Sequence, residues 1–182
     1  MKIITLPADF QDITLDQYQQ WHKGLDKFKG IALFSDVDLR KASVVAIDKA
    51  HEHLTQLIED EDPRFFKVVT HKDIDYGFIN DWDKLTGGEW IDIENYSKDL
   101  VKNAHKIMSI IYRPIERRYL DKYSIVPYEG SNDDLKDVPA SWFLGAMVFF
   151  CESETEYLNN IQQSLMEIAQ QMISKNDGDG IV

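Results

Sequence analysis

An arginine–proline pair at 113–114 closes an apolar helical stripe and dictates how the middle of this chain is built. Upstream, Leu100, Ala104, Ile107, Met108 and Ile111 recur at helical spacing, which predicts a helix capped by Ser97 and running through "KDLVKNAHKIMSIIY". Proline pushes the residue before it out of the α region, so the helix must stop there and the chain must continue extended. The following "RRYLDKYSIVPYEG" reads as an extended segment, a second strand pair.

Other signals fix other boundaries. Thr14 with Gln17, and Thr86 with Glu89, have capping-box spacing. The first predicts a helix with Leu15, Tyr18, Trp21, Leu25 and Phe28 on one face, ending near Gly30; the second predicts a short helix through "EWIDIENY". A third helix is expected over 36–63, with Leu39, Ala42, Val45, Ala46, Leu54, Leu57 and Ile58 as its stripe and Pro63 beyond its end. The opening "MKIITLPADF" reads as a short strand broken at Pro7, and "RFFKVVTHKDIDYGFIND" as two short strands turning near His71–Asp73. Pro139 suits the first turn of a long terminal helix, apolar nearly all round at its start and amphipathic later. The expectation is therefore a mainly α (α+β) fold: a single helical domain over 1–175, with a small β-hairpin near 65–79, a long C-terminal helix, and a disordered tail at 176–182.

Composition excludes several functions. The chain carries 32 acids against 20 bases, a net charge of −12, which argues against nucleic acid or an anionic membrane as the partner. The one cysteine, Cys151, lies in the apolar run "SWFLGAMVFFC", permits no intrachain disulfide, and is expected to be buried. That run is far shorter than the roughly 20 residues of a membrane span. The five histidines lack metal-ligand spacing: His51 and His53, two apart on a helix, point to different sides. Neither a phosphate-binding loop nor a nucleophile elbow occurs, so no catalytic, cofactor or metal residues are assigned.

Charge is nonetheless uneven. Residues 98–122 hold 7 bases and 3 acids, a net +4 island in an acidic chain. Lys98, Lys102 and Lys106 are expected on one helix face, and Arg113, Arg117, Arg118 and Lys122 follow with Tyr112, Tyr119 and Tyr123 between them. The readings open to this island are a solvated face whose arginines pair with the chain's own acids, a protein-docking surface, and a phosphate-backbone grip. Trp90 and Tyr96 are expected to pack inward. The late amphipathic helix supplies a candidate partner-binding stripe of Tyr157, Ile161, Leu165, Met166, Ile168 and Met172, whose methionines suit an adaptable contact with a partner helix, this protein's own core or a second copy of the chain.

Taken in order, "YGFINDWDKLTGGEWIDIENY", "HKIMSIIYRPI", "DKYSIVPYEG" and "VPASWFLGAMVFF" resemble a group of small proteins from the virion-morphogenesis regions of tailed bacteriophages. "DITLDQYQQW" fits the same group, and the resemblance covers most of residues 12–160. It implies a non-enzymatic tail assembly chaperone, acting in the host cytoplasm during assembly and binding the tape-measure protein. The alternative it implies is a structural or assembly component of the baseplate, hub or neck. Gly87 departs from the group, where a larger residue usually stands. The partners implied are phage tail proteins, either tape-measure or tube and baseplate subunits, with homo-oligomers also compatible.

Overall fold

The computed structural model describes residues 4–79 and 85–153. Two compact units divide the chain, Met1–Ala146 and Met147–Val182. The second is described only over 147–153, where it is helical. There Val148 and Phe149 are exposed and Phe150 is buried, and Cys151 is exposed rather than buried. The six stripe residues from Tyr157 to Met172, and the tail at 176–182, lie outside the described residues.

The expected mainly α fold is corrected by the sheet in the first unit. Four antiparallel strands run in the order β1 (Val68–His71), β2 (Ile74–Phe78), β3 (Tyr112–Tyr119) and β4 (Lys122–Ile125). The fold is α+β, with one four-stranded sheet in place of an isolated hairpin. The reason lies at Tyr112. The helix before it hands over to β3 with no intervening loop, and Tyr112, Arg113 and Pro114 pair with Phe78, Gly77 and Tyr76. That pairing joins two hairpins that each looked complete by themselves.

Among the described residues five α-helices precede the one that begins at 140: α1 (Leu15–Trp21), α2 (Lys27–Ala32), α3 (Val44–Glu59), α4 (Gly87–Ser97) and α5 (Ala104–Ile111). Both capping boxes form. Thr14 Oγ1 accepts from the Gln17 amide at 3.2 Å while Gln17 Oε1 accepts from Thr14 N–H at 3.0 Å, and Thr86 with Glu89 repeats the exchange. The next free amides of α1 donate to Val138 O and Lys136 O, both at 2.8 Å, so the segment before the 140 helix closes the start of α1.

Several boundaries differ from expectation. The 14–30 helix is two helices, because Gly24 takes φ +77° and Asp26 caps a fresh start. Phe28, expected on the buried face, is exposed. Helix α3, capped by Ser43, starts only at Val44 after a 3-10 turn at Leu39–Lys41, and its buried stripe is Ile47, Ala50, Leu54 and Ile58, which leaves Val45 exposed. Ser97 ends α4 instead of capping a helix; residues 98–103 are turns, and α5 begins only at Ala104. Residues 4–9 form no strand; the chain enters a 3-10 turn at Phe10.

Core packing follows from these faces. Phe10, Ile13, Tyr18, Ile58 and Ala140 form one cluster, and Ile31, Ile47, Ala50 and Leu54 a second. Helix α5 is buried along nearly its whole length, from Ala104 to Ile111. Gln19 of α1 closes the turn before it by donating to Val101 O and Lys102 O, both at 2.7 Å.

Candidate docking site

Strand β3 carries two features of functional interest, one at each end. At its start lies a half-open pocket of about 310 Å³, bordered by β2, α5, the first residues of β3 and the irregular segment 126–135. Tyr112, Pro114, Val126, Pro127 and Tyr128 give it apolar walls, and Arg113 lies among them. Such a volume sits at the small end of the roughly 300–1,000 Å³ usual for ligand pockets.

Arg113 is the electrostatic centre of this end. Its Nη1 donates to Glu89 Oε1 at 2.7 Å, and both side chains are nearly inaccessible, at 12% and 2% exposure. Glu89 is the same residue that closes the α4 capping box, its Oε2 accepting from Thr86 N–H at 2.6 Å. One carboxylate thus satisfies a helix N-terminus and a buried guanidinium, which offsets much of the desolvation of both charges. Arg113 Nε, by contrast, is buried with no hydrogen-bond partner among the described residues. A buried donor left so is costly, and an acceptor brought to it gains more than it would in water.

The pocket hydroxyls are mostly committed. Tyr112 donates to Phe66 O, Tyr128 donates to Asp92 Oδ2 at 2.7 Å, and Ser109 donates to Lys106 O while accepting from Asn132 N–H. Burial pushes the phenol of Tyr76 up, helped by the negative charge of Asp134 nearby. Burial, with the Asp92 carboxylate beside it, pushes the Tyr128 phenol up as well, so that hydroxyl holds its proton. Among the described residues no cluster of histidine, cysteine and carboxylate groups could hold a metal ion.

At the other end β3 outruns its neighbour. Beyond Pro114 it pairs only with β4, past a register shift between Ile115 and Arg117. Residues 115–125 therefore make a two-stranded ribbon whose tip is apolar: Tyr119 is 78% exposed and Leu120 83%. Leu120 also adopts φ +53°, a conformation that glycine or asparagine takes with less strain. Arg117 and Lys122 flank the tip in solvent. The base of the ribbon is clamped: the Tyr123 ring packs against Gly77, where a Cβ would come within 2.3 Å of it, and its hydroxyl donates to Phe78 O at 2.7 Å.

The basic island thus divides. Arg113 pairs with Glu89, and Arg118 lies 3.5 Å from Asp75. Lys98 and Lys102 sit in turns and Lys106 lies 5.0 Å over the Tyr96 ring, so the three lysines share no helix face. Tyr96 is half-buried with its hydroxyl 2.9 Å from Ser131 Oγ, whereas Trp90 is exposed. The exposed Tyr119–Leu120 pair went unnoticed in the sequence. Its signal was present: two large apolar residues at a turn between alternating segments, with no glycine or asparagine to explain the turn.

No protein-family model, curated protein or solved structure matches this chain. The site therefore has to be read on its own chemistry.

Proposed function

We propose that this chain is a non-enzymatic assembly protein that works by docking on other protein chains, and that it serves a tailed bacteriophage as a tail assembly chaperone for the tape-measure protein. The observation that carries the docking reading is the ribbon at 115–125, which holds Tyr119 and Leu120 in solvent at a strained turn. Large apolar side chains on a protruding tip gain free energy only when a partner covers them, at about 25 cal/mol per Å² of apolar surface removed from water. The phage assignment draws its support from the ordered segments 87–96, 105–115 and 119–130 and their resemblance to virion-morphogenesis proteins.

The test is a tagged copy expressed during infection. Capture of the tape-measure protein, together with absence of this chain from purified particles by mass spectrometry, is the expected result. Its presence in particles at a fixed copy number would replace the chaperone with a baseplate, hub or neck component. Failure of any tail protein to be captured or co-assembled would overturn the assignment to tail assembly.

A further inference from the structure

The two ends of β3 complement each other chemically. The tip offers an aromatic ring, an aliphatic side chain and the exposed carboxylate of Asp121 in succession. The pocket offers apolar walls to which Pro114, Val126, Pro127 and Tyr128 contribute. Charge is matched as well: Arg117 and Lys122 flank the tip, while Glu129 borders the pocket and Asp134 lies near enough to act on Tyr76. A chain cannot satisfy this match by itself. Arg113 and Leu120 are seven residues apart along one extended arm, roughly 20 Å at strand rise.

We propose that the occupant of the pocket is the ribbon tip of a second copy of this chain, so that Leu120 of one molecule seats against Pro127 and Tyr128 of the next, with the basic residues beside the tip facing Glu129. The proposal rests on the reading of the ribbon as a docking arm and names its partner. The contact is head-to-tail: each copy presents one tip and one pocket, and pairing leaves one of each open. Repetition yields a ring if the rotation closes and a filament if it does not. The pocket holds one or two side chains, which suits a short anchor held by a few buried groups.

Sedimentation velocity of the full chain over a wide concentration range tests this. Wild type is expected to show mass increasing beyond a dimer. Leu120→Gly removes the anchor at a position whose positive φ glycine accepts, so the fold is retained while association weakens by about tenfold or more. A second variant, Pro127→Arg with Glu129→Lys, blocks the pocket from two exposed positions and leaves the tip intact. Each variant alone is expected to remain monomeric, and an equimolar mixture to form a one-to-one complex that grows no further. A wild-type monomer at every concentration would overturn the proposal, as would Leu120→Gly associating like wild type. Loss of association in both variants without recovery on mixing would indicate a symmetric contact and overturn it too. Should Leu120→Gly abolish capture of a tail protein while wild type stays monomeric, the docking arm stands and the second copy falls.

Discussion

Replacing Gly145 with alanine should reverse the usual sign of a helix substitution. In a solvent-exposed helix interior, glycine to alanine stabilises by about 1 kcal/mol, because alanine loses less conformational freedom. Gly145 is buried in the helix that begins at 140, where the backbone of residues 64–65 passes directly over it. A Cβ there would lie 2.2 Å from Arg64 C, 2.4 Å from Arg64 O and 2.5 Å from Phe65 N, against an ordinary contact that begins near 3.4 Å. No flexible side chain can give way, since these three nearest atoms are all main chain. The crossing segment must lift by roughly 1 Å, and overpacking of this kind costs about 1–3 kcal/mol. The lift also strains the hydrogen bond from Arg64 N–H to Ser141 O, now 3.1 Å, worth about 1 kcal/mol. Set against the helix gain, the net loss is about 2 kcal/mol, or roughly 4–8 °C in Tm for a chain of this size. Urea denaturation of wild type and Gly145→Ala measures it, with Gly87→Ala as an internal control. Gly87 lies in the first turn of α4, where among the described residues no atom outside its own helix and neighbours comes within 4 Å of a Cβ, and alanine there should stabilise by about 0.5 kcal/mol. If Gly145→Ala proves as stable as wild type, the close approach that fixes residues 62–66 on this helix is refuted.

Other perturbations probe the sheet and the pocket. Arg113→Met strands Glu89 as a buried carboxylate and should cost about 3–5 kcal/mol by denaturant unfolding; adding Glu89→Gln should recover part of it, because glutamine keeps the α4 capping box. Lys72 and Asp73 form the two-residue turn of the β1–β2 hairpin with φ of +49° and +62°, so Asp73→Gly should stabilise by about 0.5–1 kcal/mol, and a loss of stability would show that the Asp73 side chain contributes there. Burial, with Lys136 beside it, pushes His105 below the ordinary imidazole value despite the pull of Asp133. The folded state therefore favours the neutral ring: the His105 contribution is complete above the unfolded pKa of about 6.5 and declines as pH falls below it. Replacing His105 with glutamine should flatten the slope of stability against pH in the window just below 6.5, and an unchanged slope would contradict the assignment.

Local chemistry was legible in the sequence and remote pairing was not. Thr14 with Gln17, and Thr86 with Glu89, announce helix starts because every partner lies within one turn. The turn near His71–Asp73 is visible for the same reason. Periodicity misled where a single backbone angle overruled it: Leu25 and Phe28 continue the α1 stripe in sequence, but Gly24 at φ +77° breaks the helix before them. The join between β2 and β3 brings Tyr76 beside Pro114, residues no local pattern associates, and it turned an expected helical domain into one with a four-stranded sheet. The pocket is harder still. Its walls come from residues spread between 76 and 135, and the Glu89–Arg113 pair at its edge differs from many other acid–base combinations in this charged chain only by being buried. The expected docking stripe, Tyr157 to Met172, falls outside the described residues, so the candidate site argued from structure is a different one.

Pairing between β2 and β3 goes no further than Pro114, whose carbonyl accepts from Val126 N–H at 3.0 Å on the β4 side, and the bulge at Glu116 breaks step with β4 immediately afterwards. The outer ribbon is consequently a cantilever: mounted stiffly where Tyr123 grips Gly77, held more loosely by the exposed Arg118–Asp75 pair, and unsupported at its tip. Its amides can trade protons with solvent through small excursions that leave the other strands zipped, so deuterium should enter 116–124 long before it enters β2. A tip that samples many directions from a fixed mount can find its seat by searching, and arrest of that motion would itself report that the seat has been taken.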